Sequence, residues 1–163
     1  MFEARSLLLC TSIWLLSGCS ALSPFSSVTK LDLQLTASEQ LNHDLNGRPS
    51  PIVLRLFELR HPVAFENADF FSLYDRARES LPQDLIATQE LELRPGEDLA
   101  LKLRVAPGSR YVGLLAAYRD LPHTRWRHVL TLLAAQRSEG RLVLDHTGIH
   151  QASGLPEGTE QRP

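Results

Sequence analysis

The tightest constraint on this chain is the strict alternation of leucine with polar residues in several short stretches. In Lys30-Leu31-Asp32-Leu33-Gln34-Leu35-Thr36 the leucines occupy every second position, and Leu99, Leu101, Leu103 and Val105 alternate with Ala100, Lys102 and Arg104. Successive side chains of a strand point to opposite faces, so each stretch makes a ribbon with one apolar and one wet face. One sheet of such ribbons leaves its apolar face bare, whereas two packed together cover both. Pro51 opens a further strand through Leu59, with Ile52, Leu54 and Leu56 on one face. Val53 and Phe57 share the other face with Arg55, so part of that face also needs cover. Tyr111 to Tyr118 is nearly all apolar, which suits a central strand buried on both sides. Leu91 and Leu93 lead into the turn Arg94-Pro95-Gly96-Glu97, and Pro107-Gly108 turns the chain again. Trp126 to Leu133 and Arg141 to Leu144 read as two more strands, separated by a Ser138-Glu139-Gly140 turn. About seven short strands with turn residues between them predict a mainly β fold, a two-sheet antiparallel β-sandwich.

Two stretches break the rhythm. Ala68, Phe71, Tyr74, Ala77 and Leu81 fall close to helical spacing, which predicts one short helical insertion between Phe65 and Leu81. Asn67 or Asp69 is placed to cap its start, and Pro82 enforces its stop. From Ala37 to Ser50 the residues are mostly polar turn-formers, among them Asn42, His43, Asp44, Asn46, Gly47, Arg48 and Pro49. Unstructured loops beyond ~12 residues are uncommon and often functional. This one is expected to be the interaction surface, with Leu45 as its apolar anchor.

The N-terminus carries a separate signal. Leu16-Ser17-Gly18-Cys19 closes a short apolar run, Leu7 to Leu16, that is too short to cross a bilayer as a helix. Small residues before a scissile bond admit the bare backbone to a peptidase, and the cysteine supplies a soft nucleophile for a lipid. Cleavage between Gly18 and Cys19 with lipidation of Cys19 is therefore expected. The resulting division is a signal peptide at 1–18, a lipidated tether at 19–27, a sandwich domain at 28–150 and a flexible tail at 151–163. Cys10 leaves with the signal, so the mature domain holds no thiol for a disulfide and stands on its own core. Stable anchoring takes more than one acyl chain, which a fully processed lipoprotein cysteine carries. Ser20 in place of an aspartate favours the outer membrane. The net charge of −2 is unchanged by cleavage, because Glu3 and Arg5 leave together, and no strong field draws the chain to nucleic acid.

No pattern of catalytic residues stands out. His146 and His150 have metal-binding spacing only if both sit on one helix, and Gly148 lies between them. No Gly-x-Ser-x-Gly elbow is present. Glu90 and Glu92 flank strand leucines as a solvated face. Trp126, between Arg125 and Arg127, falls opposite both arginines and reads as a core indole. The expectation is no enzyme, no metal and no cofactor. A ligand- or client-binding periplasmic lipoprotein is the alternative, and a deep apolar pocket between the sheets would favour it.

Several blocks together resemble a known family. Asn42-His43-Asp44-Leu45-Asn46-Gly47-Arg48-Pro49-Ser50-Pro51 runs into Ile52-Val53-Leu54-Arg55-Leu56-Phe57-Glu58-Leu59. Asp69-Phe70-Phe71-Ser72-Leu73-Tyr74, Leu93-Arg94-Pro95-Gly96-Glu97, and Val112 to Leu121 with Trp126-Arg127 follow in order. With the lipobox, this resembles the type VI secretion lipoprotein family called TssJ, also VasD or SciN. The resemblance implies a transthyretin-like sandwich with a small helical addition, on the periplasmic face of the outer membrane. It also implies a partner, the periplasmic C-terminal domain of TssM, and through it an indirect link to TssL. The first inter-strand loop is the contact the resemblance implies, which places Leu41, Asn42, Asp44, Leu45, Asn46 and Arg48 at the interface.

Overall fold

The structure, a computed structural model, describes residues 28–152. The predicted signal peptide, Gly18, Cys19, the tether and residues 153–163 of the predicted tail lie outside the described residues. Among the described residues, eight strands form two four-stranded sheets. The first has the order β4–β1–β7–β8, from β1 (Lys30–Ala37), β4 (Asp98–Arg104), β7 (Arg137–Asp145) and β8 (Gly148–Gln151). The second has the order β3–β2–β5–β6, from β2 (Ile52–Leu59), β3 (Leu85–Leu93), β5 (Tyr111–Ala116) and β6 (Arg127–Thr131). The leucine alternation sets the packing. Leu31, Leu33 and Leu35 of β1, with Leu142 and Leu144 of β7, share one core with Ile52, Leu54 and Leu56 of β2 and Val112 and Leu114 of β5. Burying each such side chain is worth about 1.5–3 kcal/mol, so this layer is the main source of stability. The predicted two-sheet β-sandwich is the observed fold.

Three local expectations need correction. First, β1 pairs with β7 in parallel, Lys30 opposite Arg137 through Ala37 opposite Leu144, while the other strand pairs are antiparallel. A parallel pair needs a long crossover, here everything between the two strands, and no local pattern announces it. Second, Ser138-Glu139-Gly140 is not a turn but lies inside β7. A Cβ at Gly140 would stand 2.8 Å from Leu130 Cδ1 and 3.2 Å from Leu33 Cδ1, so the glycine is there for close approach. The turn falls just before it, where Ala135 takes a positive φ of 57°. Third, β8 adds a strand that the sequence pattern did not reveal.

The insertion is two helices, α1 (Val63–Asn67) and α2 (Phe70–Ser80), rather than one. Asp69 separates them by capping α2: its carboxylate accepts from the Ser72 N–H at 2.9 Å and the Ser72 hydroxyl at 2.5 Å. These bonds, the hydroxyl's foremost, hold its pKa below the usual carboxylate value. The inward face of α2 carries Phe70, Leu73, Tyr74 and Ala77, whereas Phe71 is 62% exposed. This face, with Phe65 and Leu81, covers Phe57, Leu59 and Leu115 on the outer side of the second sheet. That is the cover which Phe57 on the polar-looking face of β2 required. Trp126 is half-buried and touches both clusters, its ring edge-on to Phe70 at 5.4 Å.

The strands run between two ends of the sandwich. Thr29 enters at one end, where its carbonyl accepts from Val105 N–H and its hydroxyl from Ala135 N–H. The β2–α1, β4–β5 and β6–β7 connections share this entry end. β1 carries the chain to the other end, which collects the β1–β2 loop, the β3–β4 turn, the β5–β6 connection and the β7–β8 turn. Ala37 N–H bonds Glu97 O and Ser38 N–H bonds Leu144 O there.

Candidate functional site at the loop end of the sandwich

The β1–β2 loop has a buried base and an exposed tip. At the base, Leu41 is fully buried (0% exposed) and belongs to the main core. Its N–H donates to Ser38 O at 3.0 Å, and its carbonyl accepts from Ser50 N–H at 3.1 Å. Asn42 is also buried and holds a positive φ of 46°, a conformation asparagine tolerates better than most residues. Its Nδ2 donates to Pro51 O at 3.0 Å, and its Oδ1 accepts from Arg119 N–H at 2.9 Å. Of the six residues placed at the interface from the sequence, Leu41 and Asn42 are thus turned inward. They fix the loop to the core and to the β5–β6 connection. The surrounding run of turn-formers hid a single apolar plug and a side chain that acts as backbone glue.

The tip is organised by Asp44. Its Oδ1 accepts from the N–H of Asn46 at 2.8 Å and of Arg48 at 2.9 Å, and its Oδ2 accepts from Arg48 Nε at 3.0 Å. Asp44 N–H donates to Arg48 O and Gly47 N–H to Asp44 O, both at 2.9 Å. Gly47 supplies the φ of +75° that the reversal needs. The Arg48 N–H, foremost among these contacts, lowers the Asp44 pKa. The Asp44–Arg48 pair is exposed and contributes little energy as an ion pair, but it fixes a shape. Leu45 rides on that shape with its whole side chain in solvent, at 105% relative exposure. Asn46 and Arg48 are exposed beside it.

Two neighbouring loops complete the surface. The β5–β6 connection contributes Arg119, Asp120 and His123, with His123 Nδ1 2.8 Å from Asp120 Oδ1. Together with the tip they line a groove of about 890 Å³. The Asn42 bond to Arg119 N–H ties this connection to the loop. The β7–β8 turn contributes His146, whose ring stacks on His43 at 5.9 Å. In that turn Asp145 accepts from the Thr147 hydroxyl and N–H, both at 2.7 Å. Partial burial works against its charge, yet these bonds win and its pKa is lowered.

This arrangement is suited to recognition. A preorganised loop loses less entropy on docking than a floppy one, and a single exposed leucine beside a polar groove has the form of an interface anchor. His146 and His150 are not paired for metal: His150 Nε2 lies 2.7 Å from the Thr147 hydroxyl, while His146 faces His43. Among the described residues no group of three or more His, Cys, Asp or Glu is arranged to hold a metal ion. Arg127 stacks its guanidinium over Trp126 at 4.5 Å and donates to Phe65 O and Ala68 O at the end of α1, a structural role.

Comparison with known proteins gives a consistent picture. The pattern of a family described as type VI secretion lipoprotein, VasD, EvfM, TssJ, matches residues 29–147. The crystal structure of the type VI secretion lipoprotein TssJ1 from Pseudomonas aeruginosa is similar at 35% identity and a TM-score of 0.74, covering 79% of this chain and 99% of that one. Serratia marcescens Lip, a membrane-bound component of the type VI secretion system, is similar at 27% identity and a TM-score of 0.72, over 77% of this chain and 98% of that one. A chain from a type VI membrane complex shares the fold at 24% identity and a TM-score of 0.67, over 77% and 99%. No curated protein matches the chain.

Proposed function

The chain belongs to the type VI secretion lipoprotein family, and from that premise we propose that it is a non-enzymatic adaptor between the outer membrane and the secretion channel. Cleavage after Gly18 and acylation of Cys19 anchor it to the periplasmic face of the outer membrane. The loop end binds the periplasmic C-terminal domain of TssM, and through it reaches TssL indirectly. The observation that carries this reading is the opposition of two ends. The chain enters at Thr29, β1 crosses the sandwich, and a stiff loop presents Leu45 at the far side. A strand of this length spans about 25 Å, so an anchor at one end leaves the other free to meet a partner. Asp44, Leu45, Asn46 and Arg48 are the proposed contact residues, while Leu41 and Asn42 support them.

The alternative of a ligand carrier finds less support. The space between the sheets, where a sandwich would hold an apolar cargo, is filled by Leu31, Leu33, Leu54, Leu114 and Leu142. Fractionation of cells carrying Cys19→Ser tests the anchoring half of the proposal. The altered protein is expected to leave the outer-membrane fraction while remaining folded, and secretion is expected to stop. Retention in the outer membrane would contradict it. Co-purification with the TssM domain tests the other half and is expected to fail when Leu45 and Arg48 are both changed to alanine.

A further inference from the structure

The entry end of the sandwich carries charge of a kind that its fold does not use. Lys30 sits opposite Arg104 on β4 and opposite Arg137 on β7, which places three cations at one level across three adjacent strands. Alternation puts all three on the outer face, since their neighbours Leu31, Leu103 and Ser138 turn inward. Like charges directly opposite each other destabilise a sheet. At the next level inward Lys102 lies opposite Asp32, the usual remedy, while Asp32 also lies opposite a second acid, Glu139. Asp32 also reaches Arg137 at 2.9 Å, but Lys30 and Arg104 have no ion-pair partner among the described residues.

The second sheet adds to the same end. Arg60 and Arg110 border a shallow hollow of about 300 Å³ with His61 and Gly108, and neither guanidinium has an ion-pair partner among the described residues. Two acids of this end are occupied. Glu58 accepts from Ala106 N–H at 2.7 Å and the Ser109 hydroxyl at 2.8 Å, and Asp84 takes His61 at 2.9 Å. Leu133, in the β6–β7 connection that Thr29 bonds, is 54% exposed.

We infer that the entry end is a membrane-facing surface, in which Lys30, Arg60, Arg104 and Arg110 bind anionic phospholipid headgroups and Leu133 meets the interface. The occupant follows from where the chain leads. This inference rests on the lipid anchor at Cys19 proposed above. The residues from Cys19 to Ser27, even fully extended, reach about 30 Å, so the anchor holds this end within reach of the leaflet. A basic residue near an anionic surface changes partitioning about fivefold. The lipid would then do more than tether: with this end seated, the loop end is aimed away from the membrane.

The test uses the full, lipidated chain reconstituted into vesicles of phosphatidylcholine, or of phosphatidylcholine mixed with phosphatidylglycerol, whose headgroups carry a quencher. A fluorophore on Leu133→Cys reports docking of the entry end, and one on Leu45→Cys reports the far end. Position 133 is expected to be quenched on the phosphatidylglycerol vesicles, to recover at high salt, and to be less quenched on phosphatidylcholine alone, with position 45 unquenched throughout. Changing Arg60, Arg104 and Arg110 together to glutamine is expected to lower the docked-to-undocked ratio about a hundredfold while flotation with the vesicles persists. Equal quenching on both vesicles, or an unaffected triple variant, would overturn the inference and leave the anchor intact. So would a triple variant that docks normally but loses binding to the TssM domain, because its cations would then serve an acidic protein. Failure of the unaltered chain to float with either vesicle would overturn the anchor itself, and this inference with it.

Discussion

The two ends of the sandwich solve opposite problems. At the loop end, polar groups are consumed internally: Asp44 closes the tip on Arg48 and Asn46, Asn42 ties the base to Arg119, and Asp145 closes the β7–β8 turn. What stands proud of this network is the side chain of Leu45, beside a polar groove lined by Arg119, Asp120 and His123. At the entry end Glu58 and Asp84 are consumed, Asp32 takes Arg137, and Lys30, Arg60, Arg104 and Arg110 are left over, Lys30 and Arg104 in one row of like charge with Arg137. A surface whose leftover group is a leucine on a rigid support suits a protein partner. One whose leftover groups are cations suits a charged, diffuse partner such as a headgroup layer. The difference teaches that exposure alone is a poor guide to a site, and that the unsatisfied remainder of each local network is a better one.

Substitutions can break or sharpen this contrast. The largest expected effect is that of Leu41→Ala, which removes the plug under the loop and is expected to cost about 2–5 kcal/mol in denaturant unfolding. A loss below about 1 kcal/mol would mean that the loop base is not part of the core. Next, Asn42→Ala leaves Pro51 O and Arg119 N–H without their partner, and a cost of about 1–3 kcal/mol is expected. Smaller still is an acid effect confined to the tip. The Asp44 pKa is lowered from the ordinary 3.8 on folding, so its contribution is complete above that value and disappears as the pH falls through the lower folded one. Amide chemical shifts of Asn46 and Arg48 are expected to report that loss.

Much of this was legible in the sequence, for physical reasons that also mark the boundary. The leucine alternation of β1 and β4 translated directly into an inward face, fully buried in β1 and half-buried in β4, because period-two patterning is a local property. Phe57 among polar neighbours correctly required a cover, which α1 and α2 supply. Non-local facts were hidden. Gly140 read as a turn because nothing near it in sequence reveals that Leu130 and Leu33 press against it. The parallel pairing of β1 with β7 brings Lys30 and Arg137 together from opposite ends of the domain, so the cation row had no sequence signal at all. In the loop, Leu45 is exposed as expected, whereas Leu41 and Asn42, expected at the interface with it, are buried. A lone leucine in a polar run looks the same from sequence whether it plugs the core or faces water.

Leu45 carries the proposed contact at the loop end. Titration calorimetry of this protein against the periplasmic domain of TssM, comparing the unaltered chain with Leu45→Asp, measures that role alone. Its side chain touches no core, so stability is expected to change by less than about 0.5 kcal/mol. Affinity is expected to fall at least about thirtyfold, the loss typical of an interface anchor. Undiminished affinity in the folded Leu45→Asp protein would contradict the assignment of the loop end as the partner-binding surface.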